Sequence, residues 1–282
     1  SGIARVLVIE GRITNVEVLG DGAAQVEPYL SGLTSQTIAN LKDIDRRLAL
    51  ASDIPGVKLR SAVEAVPEDP SHHHLIVNTE LRRVEGHLFI DNRGTEAIGP
   101  MQAYGRFSMN SLIAKRDQLT LSAYTTPEDT SELTQVAAAY RRLIGQGSEL
   151  GVSYLRSEAD GGFNIEAPSI GGNSEVGSLW YSLPVARSRK SSLWLDGSFD
   201  AGHFENEWIN GGGYEDETRV GRIMLRGRHN GAGESSNVLV RISAGLDALG
   251  ASGPSAINRS RYDADGAFTK LDFQVSHYRD IG

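Results

Sequence analysis

The chain has 282 residues, 39% of them hydrophobic, and a formal charge of −8 from 28 Lys and Arg against 36 Asp and Glu. That balance excludes a dedicated nucleic-acid binder, and zero cysteines exclude disulfides and thiolate chemistry. No run approaches the roughly 20 apolar residues of a spanning helix. A barrel strand needs only about 9–11 residues, half of them polar, and hides easily behind a mean hydropathy of −0.28.

Ser1-Gly2-Ile3-Ala4-Arg5 leads straight into a strand without a signal-peptide pattern. Such a start fits a cytoplasmic protein or a processed or trimmed piece, and the second is preferred. Residues 6–9 read as one buried strand and 13–19 as another, with Gly20-Asp21-Gly22 as a turn. A short helical stretch follows around 26–30, then a longer helix from near Thr34 and Ser35. Ile38, Leu41, Ile44 and Leu48 are spaced for one face of it. Ile54-Pro55-Gly56 stops that helix, and residues 57–66 and 75–84 read as strands joined by a polar loop at 67–73. The order β-α-α-β-β predicts a small two-layer α+β domain with helices on one face of a sheet. No active site is visible in it, and docking or scaffolding suits it better.

From Glu85 onward the period falls to two. Met101, Ala103, Gly105, Phe107 and Met109 alternate with Gln102, Tyr104, Arg106, Ser108 and Asn110. Val238, Val240, Ile242, Ala244 and Leu246 alternate with Leu239, Arg241, Ser243, Gly245 and Asp247. Successive strand side chains point to opposite faces, so the sheet has one apolar and one mostly polar surface. About ten such strands are expected, at 86–92, 101–109, 118–123, 131–142, 149–157, 175–185, 191–200, 219–229, 238–247 and 270–276. The connectors at 115–117, 145–147 and 188–190 are short; those at 158–173, 202–215 and 250–264 are long and polar. Short and long connectors in alternation are the habit of a membrane barrel. A soluble sandwich with a solvated polar face gives the same strand periodicity.

On the polar face Arg106, Arg222, Arg226, Arg228 and Arg241 form a basic stripe. One reading is a lumen lining that disfavours small cations; the other is cross-strand pairing with acids such as Asp196, Asp247 or Asp272. Asp91 and Asn92 have no nucleophile or base beside them and are expected to shape a strand end before Gly94. His72-His73-His74 and Asp69 in a polar loop are expected to be solvated rather than to bind a metal. The carboxylates at 205–207 and 215–217 lack the ligand spacing of a calcium loop, and Gly211-Gly212-Gly213 is followed by no Lys-Ser/Thr. No catalytic residue, metal or cofactor is expected.

Three stretches carry a resemblance. Val8-Ile9-Glu10-Gly11-Arg12-Ile13 looks like the passage from one POTRA domain into the next. Asp91-Asn92-Arg93-Gly94, then Gly99 and Asp117-Gln118-Leu119, looks like the opening strands of one barrel family. Residues 181–189, Tyr-Ser-Leu-Pro-Val-Ala-Arg-Ser-Arg, are similar to a mid-barrel signature of that family. The chain thus resembles the outer-membrane translocators of two-partner secretion, the haemolysin-activator type within the Omp85 superfamily. The resemblance implies an end of one POTRA domain at 1–10, a second POTRA domain at 11–83, and the N-terminal part of an antiparallel transmembrane β-barrel at 84–282.

It further implies a monomer in the outer membrane of a Gram-negative bacterium, lipid around the barrel and the POTRA domain in the periplasm. An unfolded exoprotein would be the partner, captured by β-augmentation in the groove around Ile38, Leu41 and Leu48 and passed through the barrel without ATP; taken one by one, these three residues are better read as filling the domain core. The family's plug helix, Arg-Gly-aromatic loop and closing strands are not found, which favours a piece of a larger protein over a divergent, smaller closed barrel. A porin or surface-binding barrel without protein export is the alternative.

Overall fold

The computed structural model describes residues 10–95, 98–160, 169–208, 211–261 and 265–280. The expected strand at 6–9 and the preceding domain end at 1–10, apart from Glu10, lie outside the described residues. The N-terminal domain follows the expected order: β1 Arg12–Gly20, α1 Ala23–Leu30, α2 Leu41–Ser52, β2 Val57–Val66 and β3 Asp69–Leu81. Its sheet runs β1-β3-β2, with β3 parallel to β1 and antiparallel to β2. Val26, Leu30 and Leu33 meet Leu50, Ile54, Leu75 and Val77 in a core that is almost wholly dry.

Two boundaries differ from expectation. The second helix begins at Leu41, because Asn40 is extended and its side chain caps the helix by accepting from Lys42 N at 3.0 Å. Turns from Leu30 to Leu33 and from Leu33 to Gln36 hold the chain short of the helix. Ile38 therefore precedes the helix. The stretch at 67–73 is not a loop, since β3 starts at Asp69 and pairs with β1 from Arg12↔His72 onward. His72, His73 and His74 sit consecutively on a strand, so their side chains alternate between faces and do not converge. Asp69 accepts from Ser71 N and Oγ at 2.9 and 2.6 Å, which holds its carboxyl below the usual range.

Ten further strands follow: β4 Val84–Asp91, β5 Gln102–Asn110, β6 Asp117–Thr125, β7 Thr134–Ile144, β8 Ser148–Asp160, β9 Ser169–Arg187, β10 Ser191–Trp208, β11 Gly213–Gly231, β12 Glu234–Gly245 and β13 Phe268–Arg279. They form one antiparallel sheet in chain order, with β4 and β13 as its edges. β9 and β11 are 19 residues long and β10 is 18, longer than alternation suggested. Within the connectors expected at 158–173 and 202–215, the described residues 158–160, 169–173, 202–208 and 213–215 are strand: the β10–β11 ladder runs unbroken from Gly202↔Thr218 to Glu207↔Gly213. In that extension the face that carries Leu195 and Phe199 turns to His203, Glu205 and Glu207, while Phe204 and Trp208 fall on the other, so the apolar face is lost although the pairing continues. Between β12 and β13, the described residues 246–261 and 265–267 form no strand.

Exposure is inverted relative to a soluble sheet. Ile223 is 64% exposed, Leu271 67% and Phe273 70%, whereas Asp196 on the opposite face is 9% and Ser243 4%. Leu88, Phe107, Leu121, Val136, Leu179 and Ile242 continue the exposed apolar surface across the sheet. An apolar area of that extent is larger than soluble monomers ordinarily leave exposed.

Candidate functional site

The polar face carries a network of ion pairs that strand register assembles. Asp196 lies opposite Met224, so its diagonal neighbour two residues on is Arg226. Arg226 Nη2 donates to Asp196 Oδ1 at 2.9 Å, Ser182 donates to the same carboxylate, and the guanidinium lies 5.9 Å from the Trp194 ring centre. One step along, Arg222 and Ser178 hold Asp200. Arg241 faces Asp272 directly, Nη2 to Oδ2 at 2.9 Å, and Lys270 Nζ reaches the other oxygen at 2.9 Å. Toward the N-terminal domain, Glu149 accepts from Arg141 Nη1 at 2.7 Å and from Trp180 Nε1 at 2.9 Å, and Arg141 Nε donates to Gln118 at 2.8 Å. Arg141, Glu149, Asp196, Arg222, Arg226 and Arg241 line a cavity of about 660 Å³ together with Asp53 of the N-terminal domain.

Arg222, Arg226 and Arg241 therefore sit on one face as compensated charges rather than as a free cationic stripe. Arg228 is exposed near the end of β11 and donates to Asn230 at 3.4 Å, with no ion pair among the described residues. Arg106 shares its face with Tyr104 and Ser108 but makes no ion pair among the described residues. Of the acids expected to pair, Asp196 and Asp272 do so, and Asp247 lies past the end of β12. In the N-terminal domain Leu48 packs against the core, whereas Ile38 is 51% and Leu41 77% exposed.

Sequence reasoning missed the junction between the two parts of the chain. In β9, Pro184 pairs with Trp194 and Ala186 with Leu193, which leaves Val185 as a bulge. A bulge suits a proline, which has no N–H to give a ladder. Just beyond it Arg187 forms a two-pronged pair with Asp53, Nε–Oδ2 at 2.8 Å and Nη2–Oδ1 at 2.7 Å. Arg189 Nε donates to Asp45 at 2.8 Å, and Arg46 donates back to the carbonyls of Pro184 and Val185 at 3.3 and 3.4 Å. Leu143 of β7 is buried as part of the N-terminal domain's core. Arg116 lies 5.5 Å from the centre of the Tyr29 ring.

A second seam joins the β3–β4 link to β5: Asn110 N donates to Arg83 O at 2.8 Å and Asn110 Nδ2 to Arg82 O at 2.7 Å. Next to it, Asp117 accepts from the backbone of Leu112, Ile113 and Ala114 and from Tyr140 Oη, fixing the turn at 111–116. The family-like stretches thus acquire physical roles. Residues 181–189 carry the bulge and the arginines that grip α2. Gly94 closes a loop by donating to Pro100 O at 3.0 Å, and a Cβ on it would meet Gly99 O at 2.0 Å.

Among the described residues one group has metal-ligand character: His203, Glu205 and Glu215, with ligand atoms within 4.8 Å of one another. Register brings Glu205 opposite Glu215 and His203 opposite Glu217. His203 Nδ1 is already engaged by Glu217 at 2.8 Å and Glu217 by Arg219 at 2.9 Å, so ion pairing accounts for the cluster.

Comparison with family models and with curated proteins gave no match. Among solved structures the chain is similar to CdiB from Escherichia coli, at 17% identity and a TM-score of 0.75, over 97% of this chain and 52% of that one. It is also similar to CdiB from Acinetobacter baumannii, at 17% identity and a TM-score of 0.55, over 83% of this chain and 46% of that one. The chain spans about half the length of each. Over nearly its whole length, it has the fold of the CdiB proteins.

Proposed function

We propose that the intact protein is a two-partner secretion transporter of the outer membrane, capturing an unfolded exoprotein through its N-terminal POTRA domain and conducting it through the barrel to the cell surface. One observation carries this reading: a β-α-α-β-β domain is bonded to the short-turn end of a two-faced ten-strand meander, in an arrangement that overlays CdiB along 97% of the chain. The apolar face would meet lipid, the Arg–Asp ladder would line the lumen, and β2, a sheet edge beside α2, would accept an extended chain by backbone pairing. Exposed Ile38 and Leu41 would supply apolar contact at that groove, and Leu48 its floor.

The test is secretion. Cells carrying the full-length gene and its co-encoded exoprotein should place the exoprotein at the surface. Ile38→Asp with Leu41→Asp should cut that yield severalfold while the barrel still fractionates with the outer membrane. A protein that fractionates there and conducts ions but exports nothing would be a porin.

A further inference from the structure

The outer end of the junction holds more positive charge than its carboxylates neutralise. Lys42 and Arg46 on α2 meet Arg187, Arg189 and Lys190 of the β9–β10 turn around an open cavity of about 740 Å³. Asp53 is taken by Arg187 and Asp45 by Arg189. Arg46 gives two of its five N–H donors to backbone carbonyls and keeps its charge unpaired, and Lys42 and Lys190 make no ion pair among the described residues. The site is therefore left with three uncompensated cations.

Its position gives that charge a meaning. Leu179, Tyr181, Leu183 and Val185 form an exposed apolar stripe along β9, and the stripe ends at this cavity, with Val185 in its wall. Apolar side chains running up to a cationic pocket match the two halves of a phospholipid, an acyl chain and an anionic headgroup. The cations come from two parts of the chain, so an occupant would bridge α2 and the β9–β10 turn.

We propose that this pocket binds the headgroup phosphate of an anionic phospholipid from the membrane leaflet nearest the N-terminal domain, with Lys42, Arg46 and Lys190 as its donors. The proposal rests on the reading of the apolar face as lipid-facing. The bound lipid would clamp α2 against the turn that Arg187 and Arg189 already hold.

The full-length protein is folded into vesicles of phosphatidylglycerol and phosphatidylethanolamine, extracted in mild detergent, and its retained lipids counted by mass spectrometry. Wild-type protein should retain phosphatidylglycerol above its share in the vesicle, and excess inorganic phosphate should not displace it. Replacing the three cations together, Lys42→Gln, Arg46→Gln and Lys190→Gln, should cut that enrichment at least about tenfold, since each cation near an anionic surface contributes roughly fivefold. Lys42→Arg with Lys190→Arg should keep it, as should Arg93→Gln with Arg261→Gln at the other end of the sheet. Heat-modifiable gel migration reports insertion separately. If the triple variant inserts and still retains phosphatidylglycerol like wild type, the lipid site is wrong and the barrel reading stands. Loss to inorganic phosphate would make it a simple anion pocket and overturn the proposal. Failure of the wild-type protein to insert would overturn both readings.

Discussion

Arg187 at the end of β9 and Asp53 just past α2 are 134 residues apart in sequence and are joined by two parallel hydrogen bonds of 2.8 and 2.7 Å. Both side chains are mostly buried, 19% and 24% exposed, so neither charge can fall back on water when the other is removed. Arg187→Ala and Asp53→Ala should each lower the opening free energy of the α2 amides by about 2 kcal/mol, read by hydrogen exchange on the whole protein. The double variant should cost little more than either single. Strictly additive losses would mean that the pair does not hold the domain to the sheet.

The neighbouring turn allows a sharper comparison. Gly147 has a φ of +97°, and a Cβ there would lie 2.7 Å from Leu50 Cδ2; Gly145, two residues away, has a φ of +52° and open space around it. Both Gly→Ala changes carry the cost of a left-handed backbone, about 1–2 kcal/mol. Only Gly147→Ala also pushes α2 away from the sheet, which adds about 1–3 kcal/mol of overpacking. Proteolytic susceptibility of α2 should rise for Gly147→Ala and stay near wild type for Gly145→Ala. Equal behaviour would show that Leu50 moves aside freely.

Within the N-terminal domain Asp43 organises the approach to α2. It accepts from Gln36 Nε2 at 2.6 Å and Arg47 Nε at 2.8 Å, while Arg47 Nη1 donates to Tyr29 O at 3.0 Å. Burial pushes the Asp43 carboxyl up, but the hydrogen bonds from Arg47 and Gln36 and the nearby charges outweigh it and hold it below its ordinary range. A carboxyl with a depressed folded-state pKa stabilises the fold fully above its unfolded-state pKa and loses that contribution as pH falls through the folded value. Asp43→Asn should therefore cost about 1 kcal/mol at neutral pH, and the gap to wild type should close in acid, below the usual carboxylate range. Unfolding followed across pH by circular dichroism checks this; a gap independent of pH would contradict it.

Much of this architecture is legible from the amino-acid order, for reasons visible at particular residues. The alternation of Val238, Val240 and Ile242 with Leu239, Arg241 and Ser243 is a local pattern, and local patterns fix strands and faces. At 202–208 and 213–218 the apolar side chains no longer keep to the face they hold elsewhere, so the pattern carries no strand signal, although the hydrogen-bond ladder runs on. Asn40 displaces a helix start by a capping bond that periodicity does not see. The junction was least legible of all. Arg187, Asp53, Arg189 and Asp45 are ordinary charges until the fold brings segments more than 130 residues apart together.

Phe273 and Gln274 are neighbours on β13 that point to opposite faces, which makes them a direct test of what surrounds the sheet. Phe273 belongs to the exposed apolar surface, at 70% exposure, and pairs with Val240; Gln274 lies on the polar face, opposite Leu239 and one pair along from Asp272. An arginine in the middle of a lipid-facing band costs about 2–4 kcal/mol, while one facing an aqueous lumen costs little. In urea titrations of the whole protein folded into phosphatidylcholine vesicles, Phe273→Arg should lower stability by that amount and Gln274→Arg should leave it nearly unchanged. If water covered the exposed Phe273 face, Phe273→Arg would be the benign change and would raise solubility. The order of the two effects therefore decides which solvent the Val-Ile-Leu-Phe surface meets, and with it whether the Arg–Asp ladder lies in a lumen.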